Sequence, residues 1–207
     1  MKILKETLSE NKNKIQLLGC DDYKQALIIG VFHGDEPQGE FLINEYIKNN
    51  EYSKMLFVPC LNPDGMKLNQ RQNANGVDLN RNFPTKNWEL VEDITFFGGK
   101  APNSEAETQF MVEIIEEYEP KFILSLHAPF CTVNFDGEAE IYAEKISEII
   151  NYPLQPDIGY PTPGSFGTYC GVERNIPTIT LELDENIDVK RLVKPVHKIF
   201  DYINSVI

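Results

Sequence analysis

Apolar and polar positions alternate along this chain in two rhythms. Residues 26–32 form an apolar run short enough for a buried strand, and residues 37–48 follow with one apolar stripe, Phe41, Leu42 and Tyr46, at helical spacing. Residues 55–60 read as the next strand. Phe110, Met111, Ile114, Ile115 and Tyr118 mark a helix with a buried face, with Ser104 and Glu107 placed as a capping box and Pro120 as its end. Residues 122–126 predict a strand, 138–150 a helix and 178–183 a last strand, before a C-terminal helical segment interrupted near Pro195. This order is that of an α/β fold, with a mainly parallel, mixed, twisted sheet flanked by helices. No repeat or composition break divides the chain, so residues 1–207 are expected to form one domain.

The exception to both rhythms is residues 61–102, rich in Asn, Gly and Pro and without periodicity. A connection of that length is expected to carry function.

The formal charge of -13 argues against nucleic acid or an anionic membrane as partner. Neither a membrane span nor a secretory signal is read at the N-terminus, so a cytoplasmic location is expected. The cysteines Cys20, Cys60, Cys131 and Cys170 form no C-x-x-C pair and are expected to be free thiols. Nothing in the sequence sets an oligomeric state.

Candidate chemistry begins where the first predicted strand runs into His33-Gly-Asp-Glu36-Pro37. Gly34 permits a tight turn and Pro37 suits a helix start, so His33 and Glu36 can face one point. His127 directly follows another predicted strand and falls at the same edge. Two imidazoles and a carboxylate make a catalytic zinc set with a fourth position open, and one Zn2+ per chain is expected. The competing reading is two hydrogen-bonded loop histidines. His197, in the C-terminal helical segment, is read as structural or surface.

The stretch Asn62-Pro63-Asp64-Gly65, Arg71, and then Asn75-Gly-Val-Asp-Leu-Asn80-Arg81-Asn-Phe83 resembles the M14 metallocarboxypeptidase family. The resemblance implies a zinc-carboxypeptidase-like fold, with His33, Glu36 and His127 as metal ligands and Arg71 polarising the scissile carbonyl. It implies further that Asn80 and Arg81 grip a substrate carboxylate and that Glu182 handles protons. Arginine suits planar carboxylate recognition by paired donors. Glu182 shares one face of its predicted strand with Thr178 and Thr180, where an exposed polar face is the plainer account.

Within the family, residues 76–84 followed by Asn87-Trp88, together with residues 159–167, resemble the bacterial murein peptide amidases. That likeness implies cleavage of the γ-D-glutamyl–diaminopimelate bond of murein tripeptide, a small peptide with a free carboxylate, in peptidoglycan recycling. Residues 157–171 are expected to cover the pocket, with Tyr160 or Tyr169 capping the substrate and spacing not choosing between them. Three rivals stand beside this reading. One is a succinylglutamate desuccinylase or aspartoacylase-like amidohydrolase acting on N-acyl amino acids. Another is a binding module without chemistry. The last is a cysteine hydrolase using Cys131 or Cys170, for which no local signature speaks.

Overall fold

The chain opens with two strands that the apolar runs do not announce, Lys2–Leu8 (β1) and Lys14–Gly19 (β2), paired antiparallel. In β2, Ile15 and Leu17 are buried while Lys14 and Gln16 turn outward, so the strand is half-buried rather than continuously apolar. In the computed structural model, which describes residues 1–23, 25–51, 53–156 and 159–207, there follow Ala26–Ile29 (β3), Gln38–Asn49 (α1), Leu56–Val58 (β4) and Pro63–Leu68 (α2). Then come Ala106–Tyr118 (α3), Phe122–His127 (β5), Val133–Asp136 (β6), Glu140–Ile150 (α4), Thr178–Glu182 (β7) and Lys190–Val206 (α5).

Among the described residues the sheet has seven strands, in the order β1-β2-β4-β3-β5-β7-β6. Its centre, β4-β3-β5-β7, is parallel, and both flanks are antiparallel, through β2 on β4 and β6 on β7. The expected mixed sheet is present, with the parallel part confined to the middle. From β3 the chain crosses to β4 on one side, then passes over to β5 on the other. The gap between the ends of β3 and β5 is therefore a topological switch point, where open α/β sheets bind ligands.

Alternation within the central strands divides the core between two faces. Ala26, Ile28, Leu124, Leu126, Ile179 and Leu181 pack with the apolar stripes of α1, α4 and α5. Leu27, Ile29 and Ile123 pack with Phe110, Met111 and Ile114 of α3 and with Leu79, Phe83 and Tyr169 from the long connections. His197 has the structural role expected of it: its ring donates to the Leu42 carbonyl at 3.0 Å and packs edge-on against Tyr46.

Two expectations about helix ends are corrected. Ser104 and Glu107 form no capping box: Glu105 is the N-cap residue, and Ser104 Oγ donates to Glu105 Oε1 at 2.6 Å. Glu107 turns inward instead and accepts from Asn73 Nδ2 at 3.3 Å. Pro195 does not interrupt α5, which runs unbroken through it. Only the bond to the Arg191 carbonyl is lost, at an exposed residue, while Leu192, Val196, Ile199, Phe200 and Ile203 bury a continuous stripe across it. All four cysteines are free, and no helix among the described residues is long and apolar enough to cross a membrane.

Candidate metal centre and cleft

The predicted strand 26–32 ends early, at Ile29, because Val31 takes the left-handed conformation at φ 55. That conformation costs a β-branched residue roughly 1–3 kcal/mol. Hydrogen bonds hold it: Leu61 N–H donates to the Gly30 carbonyl at 3.1 Å and Asn62 N–H to the Val31 carbonyl at 2.9 Å. The turn that follows is equally fixed. A Cβ on Gly34 would stand 2.0 Å from the Gly65 backbone, so only glycine lets these two segments touch.

Together these contacts bring His33 and Glu36 to the end of β3, opposite His127 at the end of β5. Glu36 Oε1 lies 2.8 Å from His33 Nδ1, and Oε2 lies 3.1 Å from His127 Nδ1. The two Nδ1 atoms are 3.3 Å apart. All three side chains are buried, and Phe32 stacks on the His127 ring at 5.2 Å.

Their electrostatics are those of a site built for a cation. Burial alone would lower the His33 pKa, but Glu36 and Asp78 outweigh it and push the imidazole up to about 9. Burial would raise Glu36, yet His33 and His127 hold its carboxyl far below the usual carboxylate range. With two imidazole nitrogens and a carboxylate converging within 4.8 Å, the donor set fits Zn2+. Glu182 Oε2, buried with no hydrogen-bond partner, faces the same region.

Asp78 was not among the residues singled out from the sequence, yet it joins the site together. Its Oδ1 accepts from His33 Nε2 at 3.2 Å and from Asn80 N–H at 2.9 Å. Its Oδ2 accepts from Arg71 Nε at 3.0 Å and Nη2 at 2.8 Å. Burial would raise its pKa, but His33, Arg71 and Arg81 hold it well below the carboxylate range. A carboxylate on the outer nitrogen of a ligating histidine fixes the tautomer and ring orientation.

The connection 61–102 contains α2 and two short 3-10 turns, and asparagine side chains stitch the rest. Asn62 caps α2 by accepting from Gly65 N–H at 2.9 Å. Asn73 accepts from the Asn75 and Val77 amides at 3.0 and 3.1 Å and donates to Glu105 at 2.8 Å. Asn82 donates to the Gly98 carbonyl at 2.7 Å. These bonds replace the apolar periodicity that an ordinary element would use.

Arg71, Asn80 and Arg81 line one cleft with His33, Glu36, His127 and Glu182. The two guanidinium groups lie against one Phe96 ring, at 5.7 and 5.5 Å. Burial, and after the opposing pull of Asp78 the neighbouring Arg71, lower the Arg81 pKa. Asn80 Oδ1 accepts from Phe166 N–H at 2.8 Å, which leaves its amide nitrogen for the cleft. Nothing in the sequence pattern pointed to Phe96; Asp78 was marked only by being an acid between apolar Val77 and Leu79.

Glu182 pairs in register with His127 across β5 and β7, which carries its carboxylate to the metal-side edge. Burial raises its pKa, with the charge of His127 opposing. Thr180 and Glu182 form the cleft side of β7 while Ile179 and Leu181 enter the core, so this polar face lines the site rather than open solvent. Tyr160 also lines the cleft, 6.3 Å from Phe96. Tyr169 does not reach it: 1% exposed, it packs against Phe83 at 5.5 Å and beneath the Arg174 guanidinium at 3.4 Å. Of the segment expected to cover the pocket, Asp157 and Ile158 lie outside the described residues, and Tyr160, Thr162 and Ser165 line the cleft.

The zinc carboxypeptidase family, peptidase M14, matches residues 21–136, more than half of the chain. Murein peptide amidase A of Escherichia coli K12 is 35% identical over 173 residues, covering 77% of this chain and 71% of that protein. The Vibrio campbellii protein of the same name is also 35% identical, over 77% of this chain and 69% of its own. Among solved structures, the murein-tripeptide amidase of Escherichia coli O157 superposes with a TM-score of 0.85 at 29% identity, covering 95% of this chain and 89% of that one. Fold, cleft and sequence thus agree that the chain belongs to the peptidase M14 family of zinc carboxypeptidases, hydrolases of peptide and amide bonds.

Proposed function

We propose that this chain is a zinc-dependent amidase that cleaves the γ-D-glutamyl–diaminopimelate bond of murein tripeptide, in the cytoplasm, as a step of peptidoglycan recycling. The observation that carries the reading is one cleft holding a His-Glu-His cluster, a buried carboxylate whose Oε2 has no hydrogen-bond partner, and two guanidinium groups on one aromatic ring. The murein amidases it resembles cover nearly the whole fold rather than the site alone.

In this reading His33, Glu36 and His127 hold the zinc, which supplies Lewis acidity toward the scissile carbonyl. Arg81 and the free amide nitrogen of Asn80 bind the carboxylate beside the scissile bond, fixing which amide faces the metal side. Glu182 takes a proton from the attacking water and returns it to the leaving amine; its raised pKa suits a group that must first accept and then give. Arg71, held by Asp78, presents its remaining donors to the oxygen that gains charge as the carbonyl is attacked. Tyr160, at the mouth beside Arg81, closes over the bound residue.

The test is hydrolysis by zinc-loaded protein of murein tripeptide and of N-succinylglutamate in parallel. Release of diaminopimelate from the first and no succinate from the second is expected. The reverse pattern assigns the chain to the N-acyl amino acid amidohydrolases, and zinc-replete protein inert toward both is a binding module. Chelator, and not a thiol-alkylating agent, should abolish turnover.

A further inference from the structure

Two like charges stand near one another in the cleft, and the side chain they share is neither an acid nor a hydrogen-bonding group. The Arg71 and Arg81 guanidinium groups lie over the Phe96 ring, 5.7 and 5.5 Å from its centre. Burial and, against the pull of Asp78, the Arg71 charge lower the Arg81 pKa, so the two cations repel. Asp78 grips Arg71 with Oδ2 and spends Oδ1 on His33 Nε2 and the Asn80 amide. Arg81 Nη1 donates to the Asn80 carbonyl at 2.7 Å. The ring is the contact that both guanidinium groups have in common.

The main chain sets this half-buried ring in place from both sides. Gln72 Nε2, next to Arg71, donates to the Ile94 and Thr95 carbonyls at 3.3 and 3.1 Å. Phe96 closes the 3-10 turn Ile94–Phe96, its N–H donating to the Asp93 carbonyl at 3.0 Å. On the other side Asp78 N–H donates to the Phe97 carbonyl at 2.9 Å. A Cβ on Gly98 would stand 2.4 Å from the Arg81 carbonyl oxygen, so a glycine there lets the segment lie against the Arg81 backbone. The residues flanking Phe96 are thus tied to the segments that carry both arginines.

An aromatic ring attracts a cation through the negative potential of its face. A guanidinium over that face is held without spending an N–H donor on an oxygen. A carboxylate in the same place would also hold the arginines, but it would take up their donors and repel an incoming anion. The geometry points to Phe96 as a positioning residue, whose ring keeps the Arg71 and Arg81 guanidinium groups together in the cleft with their donors left for the carbonyl and carboxylate oxygens of the substrate. This rests on the amidase reading, from which Arg71 and Arg81 take their roles, and adds the group that keeps both cations ready before substrate arrives.

The experiment sets zinc-loaded wild type beside Phe96→Leu, which lacks the ring, and Phe96→Tyr, which keeps it. The substrates are γ-D-glutamyl-diaminopimelate and the same dipeptide amidated on the carboxylate beside the scissile bond. On the free acid Phe96→Leu should lose about 5- to 30-fold in kcat/KM, the range of two cation–π contacts at partly exposed sites, and Phe96→Tyr should stay within about 3-fold of wild type. Amidation removes the anion that Arg81 binds, so on the amide the loss in Phe96→Leu should fall on kcat alone, through Arg71. An equal rise in KM on acid and amide, or full activity of Phe96→Leu, overturns the assignment. A second readout needs no substrate: in NMR of the zinc-loaded protein, the Arg81 guanidinium nitrogens, identified by their absence from Arg81→Ala, should rotate slowly in wild type and Phe96→Tyr and faster in Phe96→Leu. Equal rotation in all three refutes Phe96. Faster rotation in Phe96→Leu, with neither dipeptide hydrolysed by wild type, refutes the amidase reading and leaves Phe96 standing.

Discussion

Glu107 lies under the connection that carries Arg71, Asn80 and Arg81, and its ionisation should show in the stability of the whole chain. The side chain is 1% exposed; Oε2 accepts from Asn73 Nδ2 at 3.3 Å and Oε1 has no hydrogen-bond partner. Burial, and less strongly the charges of Glu105 and Asp64, raise its pKa from 4.5 to about 7. The folded protein therefore keeps a proton that the unfolded chain has already released. Stability from this group is fully present below the unfolded value and is lost as pH rises through the folded one. From about pH 6 to about pH 8.5 the loss is about 1.4 kcal/mol, or roughly 3–6 °C in Tm for a chain of this length. Glu107→Gln imitates the protonated carboxyl and has no such loss. Unfolding of wild type and variant is followed at both pH values at equal zinc content, so contributions common to both cancel. The wild type should lose about 1.4 kcal/mol more than the variant across that interval. Equal losses would show that Glu107 is ionised in the fold at both pH values, and the reasoning from its burial would fail.

Three further outcomes follow from the site. Glu182→Gln should lower kcat by about 10²- to 10⁴-fold, the range of general acid–base catalysis, with zinc content by elemental measurement unchanged. Asp78→Asn should weaken zinc binding about 10- to 100-fold in competition with a chromogenic chelator, through loss of the carboxylate on His33 Nε2. Arg81→Ala should raise KM for a substrate with a free carboxylate about 10-fold or more, while amidating that carboxylate should cost the variant little further; a large second loss would place the carboxylate elsewhere.

The parts of the site legible in the sequence were those written in local turn chemistry. His33-Gly-Asp-Glu36 at the end of an apolar run, and Asn62-Pro-Asp-Gly65 as cap, first turn and close approach, each place a side chain by short-range rules. The alternation of Thr180 and Glu182 against Ile179 and Leu181 likewise placed β7 correctly. What could not be read depends on partners distant in sequence. Glu107 looked like a capping residue, but Asn73 draws it inward. Tyr160 and Tyr169 are indistinguishable by spacing, and only packing against Phe83 takes Tyr169 into the core. Strands β1 and β6 escaped notice because each buries few residues and carries charge or polar groups, the pattern of sheet flanks.

The order of strands also bears on how such an enzyme can change over evolutionary time. The metal-side residues end β3 and β5, in the middle of the sheet, where each strand has neighbours on both sides. Asp136 ends β6, at the margin, where β7 pairs along the strand and a single bridge joins Val133 to Leu154. A substitution at the margin disturbs one ladder; one at the centre disturbs two and the core on both faces. Drift in β6 and in the segment around Gly167 therefore reshapes the cleft wall with less disturbance to the sheet than change at the ends of β3 and β5. The sheet separates, in space and in tolerance to mutation, the part of the enzyme that must stay constant from the part free to diversify.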